Sequence, residues 1–133
     1  MIREALPKDA PALVRLFSLL GHELEEDDLA ARVGELSTLV VERNGVVVAA
    51  LGLAFAHYIH RRQPIARITI LVVDDDWRGR GIGTALLEEA KARARAEGCE
   101  LLELTSNARL TDAHAFYAAQ GFEPTSKRFA IRL

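Results

Sequence analysis

Basic excess, paired cysteines and long apolar runs are all missing from this chain, and each absence closes off a class of function. Seventeen Lys and Arg stand against nineteen Asp and Glu, a formal net charge of −2. That balance leaves no electrostatic footprint for a nucleic acid, and no such partner is expected. The single cysteine, Cys99, excludes an internal disulfide and fits a reducing compartment. The longest apolar run, residues 46–56, falls short of the roughly 20 residues that a helix needs to cross a bilayer. The opening Met1-Ile2-Arg3-Glu4 carries no signal-peptide pattern. The expectation is a soluble cytoplasmic protein with no membrane partner.

What is present is enough apolar material for one core. Half of the 133 residues are hydrophobic, so residues 1–133 read as a single domain that needs no staples. Residues 2–6 predict a short strand. Asp9 predicts a helix cap with Pro11 in the first turn, and Leu13, Leu16, Phe17 and Leu20 repeat at helical spacing until Gly21. A second helix is predicted over 25–35. Apolar runs at 39–42 and 46–56 flank Asn44-Gly45, a strong two-residue hairpin signal. Strands follow at 67–73 and 101–105, helices at 81–96 and 112–120, and one or two closing strands at 122 and 129–133. The order β-α-α-β-β-β-α-β-α-β predicts an α/β fold, a mixed sheet with helices on both faces.

The apolar run 68–73 feeds Arg78-Gly79-Arg80-Gly81-Ile82-Gly83, which feeds a long helix. Three glycines in five residues let the backbone curl and leave N–H groups uncovered. The helix behind adds the positive end of its dipole. The combination predicts a diphosphate pocket. A P-loop is excluded, because Gly83 is followed by Thr84-Ala85 where Lys-Ser/Thr is required. A dinucleotide fingerprint is excluded too, because Thr84 stands where its third small residue belongs.

These residues resemble the GNAT superfamily of acyl-CoA N-acyltransferases, whose signature is Gln or Arg, two residues, Gly, one residue, then Gly or Ala. A second similarity lies in Ala115-Phe116-Tyr117-Ala118-Ala119-Gln120-Gly121-Phe122. The resemblance spans essentially the whole chain. It implies a central sheet of six to seven strands, splayed in the middle and flanked by about four helices. It also implies acetyl-CoA as acyl donor, with its pantetheine arm along the backbone of Leu71, Val72 and Val73. The pyrophosphate would sit in the turn formed by Arg78, Gly79, Arg80, Gly81, Gly83 and Thr84. Asn107 would contact the pantetheine or serve as an ordinary turn residue.

Acyl transfer from a thioester needs a neutral amine, stabilisation of the carbonyl oxygen and a proton for the leaving thiolate. The resemblance assigns the proton to Tyr117. A phenol, with a pKa near 10, is close enough to a thiol, near 8.5, for the transfer. A backbone N–H near 71–73 would hold the oxyanion. Many relatives place a Glu in the strand before the glycine turn, and residues 67–73 contain no carboxylate. The base is therefore sought in Glu103, in His57 or His60 after the long hairpin strand, or in His114. Two histidines without a spaced carboxylate or cysteine are a poor metal set, and no metal is expected. Trp77 reads as a brace beside the turn. The acidic run 23–28 reads as compensation of a helix dipole or as an attraction for a cationic acceptor.

The endings 112–117 and 127–133 are also similar to small bacterial aminoalkylphosphonate N-acetyltransferases. Arg61, Arg62, Arg67 and Arg109 are candidates to receive an anionic acceptor or are solvated surface residues. Three functions remain open: a small-molecule amine N-acetyltransferase, an acetyltransferase of protein N-termini or lysines, and a non-catalytic acyl-CoA-binding module. The closing strands offer an edge for pairing, and a homodimer is the expected assembly.

Overall fold

The computed structural model describes residues 1–106 and 108–133. In chain order the elements are β1 (Ile2–Glu4), α1 (Ala10–Ser18), α2 (Glu26–Val33), β2 (Thr38–Arg43), β3 (Val46–Ala56), β4 (Ile65–Val73), α3 (Ile82–Ala96), β5 (Leu101–Leu104) and α4 (Thr111–Ala119). Short 3₁₀ turns at Pro7–Asp9 and Asp75–Trp77 lead into α1 and the glycine turn. The five strands lie in sequence order, antiparallel from β1 to β4 and parallel between β4 and β5. Asn44 and Gly45 take φ of 53° and 77°, the pair of positive values that the tight β2–β3 hairpin requires.

Two cores flank the sheet. On one face Ile82, Leu86, Leu87, Ala90 and Ala94 of α3 pack against Leu51, Leu53, Ala66 and Ile68. On the other, Leu13, Leu16 and Phe17 of α1 and Leu29 and Val33 of α2 cover Val40, Ala50 and Val72. The α/β class, the mixed sheet and the four helices match the sequence expectation.

The strand count does not. The sheet has five strands where six to seven were expected, and no strand follows α4 among the described residues. Phe129, Ile131 and Leu133 alternate as a strand would, yet they are 91%, 86% and 117% exposed. Alternation specifies two faces but supplies no hydrogen-bonding neighbour, and a strand needs one. Asp9 also departs from expectation. It stands at the α1 N-terminus with no capping bond from its side chain. Its carboxylate instead accepts from the Leu6 N–H (2.7 Å) and from Nη1 and Nη2 of Arg3 (2.8 and 2.9 Å).

Candidate active site

β4 belongs to two neighbours along only part of its length. It pairs with β3 from end to end, Ile65 opposite Ala56 and Val73 opposite Ala49. Its parallel pairing with β5 runs only from Ile65–Leu101 to Ile68–Leu104. Beyond that rung, Leu71, Val72 and Val73 keep one edge out of any ladder among the described residues. A bulge marks the same place: Gly52 pairs with Ile70 and Leu53 with Ile68, so Thr69 has no opposite residue. The sheet parts where β4 is locally kinked.

The chain then turns through the glycines. Asp74 accepts the Asp76 N–H (3.1 Å), holding the 3₁₀ turn, and pairs with Arg15 of α1. The Arg15 guanidinium holds the Asp74 carboxyl below the usual carboxylate range. Arg80 lies 4.6 Å over the Trp77 ring and donates to the Asp76 carbonyl (3.2 Å), so Trp77 braces the turn through a cation–π contact. Arg78 pairs with Asp75 (3.1 Å) at the exposed rim. Gly79 and Gly81 take φ of 75° and 78°, and a Cβ at either would meet nothing within 4 Å. Gly81 is also the N-cap of α3 and gives its first N–H groups no side-chain cap. An uncovered concavity of backbone donors at a helix start fits a diphosphate.

α4 packs over this turn. A Cβ at Gly83 would lie 3.2 Å from Phe116 Cζ, so only glycine admits the ring at its present approach. Gln120 Nε2 donates to Thr84 Oγ1 at 3.2 Å. Tyr117 sits between Phe116 and Phe122, with ring centroids at 5.6 and 6.0 Å. Burial pushes the Tyr117 phenol above its ordinary value. The structure thus brings Arg78, Gly79, Arg80, Gly81, Gly83, Thr84 and, on the helix packed over them, Tyr117 to the end of the sheet where the β5-side edge of Leu71, Val72 and Val73 is unpaired.

The base candidates divide. Glu103 lies one residue before the last β4–β5 rung, opposite Arg67. Leu102 and Leu104 pack toward α3, so by alternation Glu103 faces the other side of the sheet. There its Oε1 accepts from Arg67 Nη1 at 3.2 Å. His57 is exposed in loop 57–64, which enters β4 at Ile65. Ile65 and Val73 are eight steps apart, about 26 Å along a strand, and the glycine turn follows Val73. The structure does not bring His57 together with Tyr117. His60 lies in the same loop, its ring 5.8 Å from that of Tyr58. Asn107 lies outside the described residues. Among the described residues no group of three or more His, Cys, Asp or Glu could hold a metal ion, and no helix is long and apolar enough to cross a membrane.

A sheet parted beside a glycine turn, with a tyrosine-bearing helix over that turn, defines an α/β domain with a cradle for a diphosphate at the mouth of the gap. Comparison with known proteins agrees. The model of the acetyltransferase (GNAT) family matches residues 4–122, and the chain belongs to that family. Over 99% of its length it is 34% identical to the aminoalkylphosphonate N-acetyltransferase of Salmonella typhimurium, spanning 90% of that protein. It is 32% identical over 99% of its length to the aminoglycoside N(6')-acetyltransferase type 1 of Stenotrophomonas maltophilia, spanning 92% of that protein. The fold superposes with a TM-score of 0.87 on an aminoglycoside N-acetyltransferase solved in complex with CoA, at 19% identity, covering 100% of this chain and 93% of that one. The protein is an acetyl-CoA-dependent acyltransferase.

Sequence reasoning named Arg67 and Glu103 separately, one as a candidate for an anionic acceptor and one as a candidate base, and missed that they join Thr105 in one cross-strand set. Arg67 donates from Nη1 to Glu103 and from Nη2 to Thr105 Oγ1, both at 3.2 Å. The signal was the polar alternation Arg67-Ile68-Thr69, which gives way to the unbroken apolar run 70–73.

Proposed function

We propose that this protein moves an acetyl group from acetyl-CoA to the primary amine of a small molecule by direct attack. The observation that carries this reading is the parting of β4 from β5 directly before the open glycines, with Tyr117 on the helix packed over them. When bound, acetyl-CoA supplies an acyl group already activated as a thioester. Backbone N–H groups between Gly79 and Thr84 hold its diphosphate, and the unpaired edge of Leu71, Val72 and Val73 holds its pantetheine. A backbone N–H of the same segment faces the carbonyl oxygen. Tyr117 keeps its proton at neutral pH, because burial disfavours the phenolate, and delivers it to the leaving thiolate. Glu103 stands on the opposite side of the sheet from α3 and α4, where it draws the acceptor ammonium and accepts the proton that must leave before attack. Donor and acceptor thus enter the gap from opposite faces. The protein works in the cytoplasm, where Cys99 stays reduced. The exposed Phe129, Ile131 and Leu133 favour a homodimer, which the molar mass in solution will test.

Tyr117→Phe is the test, read as thiol release from acetyl-CoA with a panel of small amines and, alongside, short peptides. Loss of general-acid catalysis lowers kcat by about 10²–10⁴-fold. The Phe116 and Phe122 ring contacts survive, so the melting temperature and acetyl-CoA affinity stay close to wild type. Turnover unchanged in the variant overturns the role of Tyr117. Binding of acetyl-CoA without acetylation of any amine or peptide by the wild type supports a non-catalytic module instead. Acetylation confined to the peptides moves the acceptor from small amines to polypeptides.

A further inference from the structure

α4 is the least covered of the four α-helices. None of its described residues is buried, whereas α1, α2 and α3 each bury two or more. Two contacts seat its second half on the first turn of α3. The Phe116 ring lies against Gly83, and Gln120 Nε2 donates to Thr84 Oγ1 at 3.2 Å in a part-buried setting. Phe116 and Gln120 are four residues apart and share one face. Gln120 closes α4 and is tied into it by its backbone, its N–H shared between the carbonyls of Phe116 (3.1 Å) and Tyr117 (3.0 Å). Tyr117 is one step from Phe116, about 100° round the helix. Anchoring 116 and 120 therefore fixes the direction in which Tyr117 leaves the helix.

The ground on which α4 docks is also the cradle. Gly83 and Thr84 are the second and third residues of α3. The Ala85 N–H bonds back to the Gly81 carbonyl (3.0 Å), so the N–H groups at 82–84 stand ahead of the helical ladder. Thr84 thus offers its backbone N–H to the turn and its hydroxyl oxygen to α4. A hydroxyl has one proton and two lone pairs. Accepting from Gln120 leaves the Thr84 O–H to donate, and strengthens it as a donor.

We propose that Gln120 is a positioning residue: its bond to Thr84 seats the helix of Tyr117 on the same turn that receives the diphosphate, so that the grip on the acyl donor and the place of the proton donor are set together. The inference rests on the reaction proposed above and adds a residue that acts on it through Thr84 and α4. A diphosphate on the N–H groups of 79–84 steadies the first turn of α3, and a steady first turn holds α4. By reciprocity, α4 held in place favours the diphosphate to the same degree. Without the Gln120 bond, Phe116 still packs on Gly83, and α4 stays folded but swings about that contact. Tyr117 carries its hydroxyl at the end of a long ring, so a swing moves that oxygen further than it moves any backbone N–H of the turn. The loss therefore falls on kcat first and on CoA binding second. A glutamine that served stability alone would lower the unfolding midpoint and leave kcat and the coupling intact.

Two measurements on the intact protein test it. The first is amide hydrogen exchange across 113–120 with and without CoA. CoA is expected to slow that exchange at least about fivefold in the wild type. In Gln120→Leu, which keeps the bulk and loses the donor, the slowing is expected to be less than about twofold. The second is steady-state acetylation by Gln120→Leu, Thr84→Val and the double variant. Gln120→Leu is expected to lower kcat about 10- to 100-fold, the cost of a displacement of up to about 1 Å, while Kd for CoA rises no more than about fivefold. Both single variants break one bond, so adding Gln120→Leu to Thr84→Val should lower kcat by less than about twofold more. Exchange in α4 that ignores CoA in the wild type overturns the proposal, as does an equal response in Gln120→Leu. Losses that multiply in the double variant overturn it too. Should Gln120→Leu fail to fold, Thr84→Val, which keeps the backbone N–H, takes its place in the exchange measurement and decides. A wild type that shows the coupling but acetylates no amine supports the docking and refutes the reaction. Acetylation without the coupling supports the reaction and refutes the inference.

Discussion

Substituting alanine for Gly52 tests the bulge that opens the sheet. A Cβ built there lies 2.4 Å from Thr69 Oγ1 and 3.1 Å from Ile70 Cγ2. Neither distance is tolerable without movement. Threonine is stiff at χ1 and has one rotamer that turns a hydrogen, not a heavy atom, toward position 52, so the first clash has a costly escape. Ile70 packs against the α1–α2 core and has less room. Overpacking of this kind costs about 1–3 kcal/mol, offset by about 0.4–1 kcal/mol because alanine restricts the unfolded chain more than glycine does. The expected net loss is about 1–2 kcal/mol, a fall in Tm of roughly 3–8 °C for a domain of this size. Thr69→Ala removes the nearer atom, so Gly52→Ala in that background should cost less than about 0.5 kcal/mol. Urea melts of the two single variants and the double variant give the coupling directly, expected near 1 kcal/mol. Equal costs of Gly52→Ala in both backgrounds would show that Thr69 does not lie over Gly52, and the bulge as described would be wrong.

Three other outcomes follow from particular contacts. The Arg3 guanidinium holds the Asp9 carboxyl below the usual carboxylate range. The stabilisation from this pair is therefore complete above about pH 4 and lost as pH falls through the lower folded-state value. Asp9→Asn should cost about 1.5–3 kcal/mol at neutral pH, the range for hydrogen bonds to charged groups, and flatten the acid limb of stability measured by urea melts from pH 2 to 7. Because burial raises the Tyr117 phenol, kcat should fall only above the ordinary phenol value near 10, and that limb should vanish from the residual activity of Tyr117→Phe. Gly83→Val should push Phe116 away from α3 and shift the helix that carries Tyr117. A displacement near 1 Å predicts a loss of about 10² in kcat, and the added Phe116→Leu should recover part of it in a steady-state assay.

Much of the fold is legible because it is written in local chemistry. Asn44-Gly45 specifies its own turn, with both φ values positive. The glycines at 79 and 81 specify theirs in the same way, and the first three helices follow from apolar spacing. The tail is not legible by those means. Phe129, Ile131 and Leu133 carry the pattern of a strand, but pairing depends on a neighbour that no pattern in the tail encodes. The site divides along the same line. The donor side, from Leu71 to Thr84 with Tyr117, lies in two motifs that resemble a family. The acceptor side lies in none, and the structure leaves both base candidates toward the start of β4, His57 in the loop before Ile65 and Glu103 opposite Arg67.

One signal for the acceptor side was nonetheless present in β4 itself. A strand buried on one face alternates, and a strand buried on both faces reads as continuously apolar. β4 changes from the first pattern to the second partway along: Arg67-Ile68-Thr69 alternates, and Ile70-Leu71-Val72-Val73 does not. The break falls where the α1–α2 core begins to cover the sheet and one residue from the bulge. Cover, kink and loss of the β5 partner therefore coincide within three residues. A strand that stays polar on one side up to the point where its neighbour leaves cannot be hiding that side in the core. It leaves Arg67 and Thr69, both passed over by the motifs, only partly covered on the side of the sheet away from α3, next to the gap.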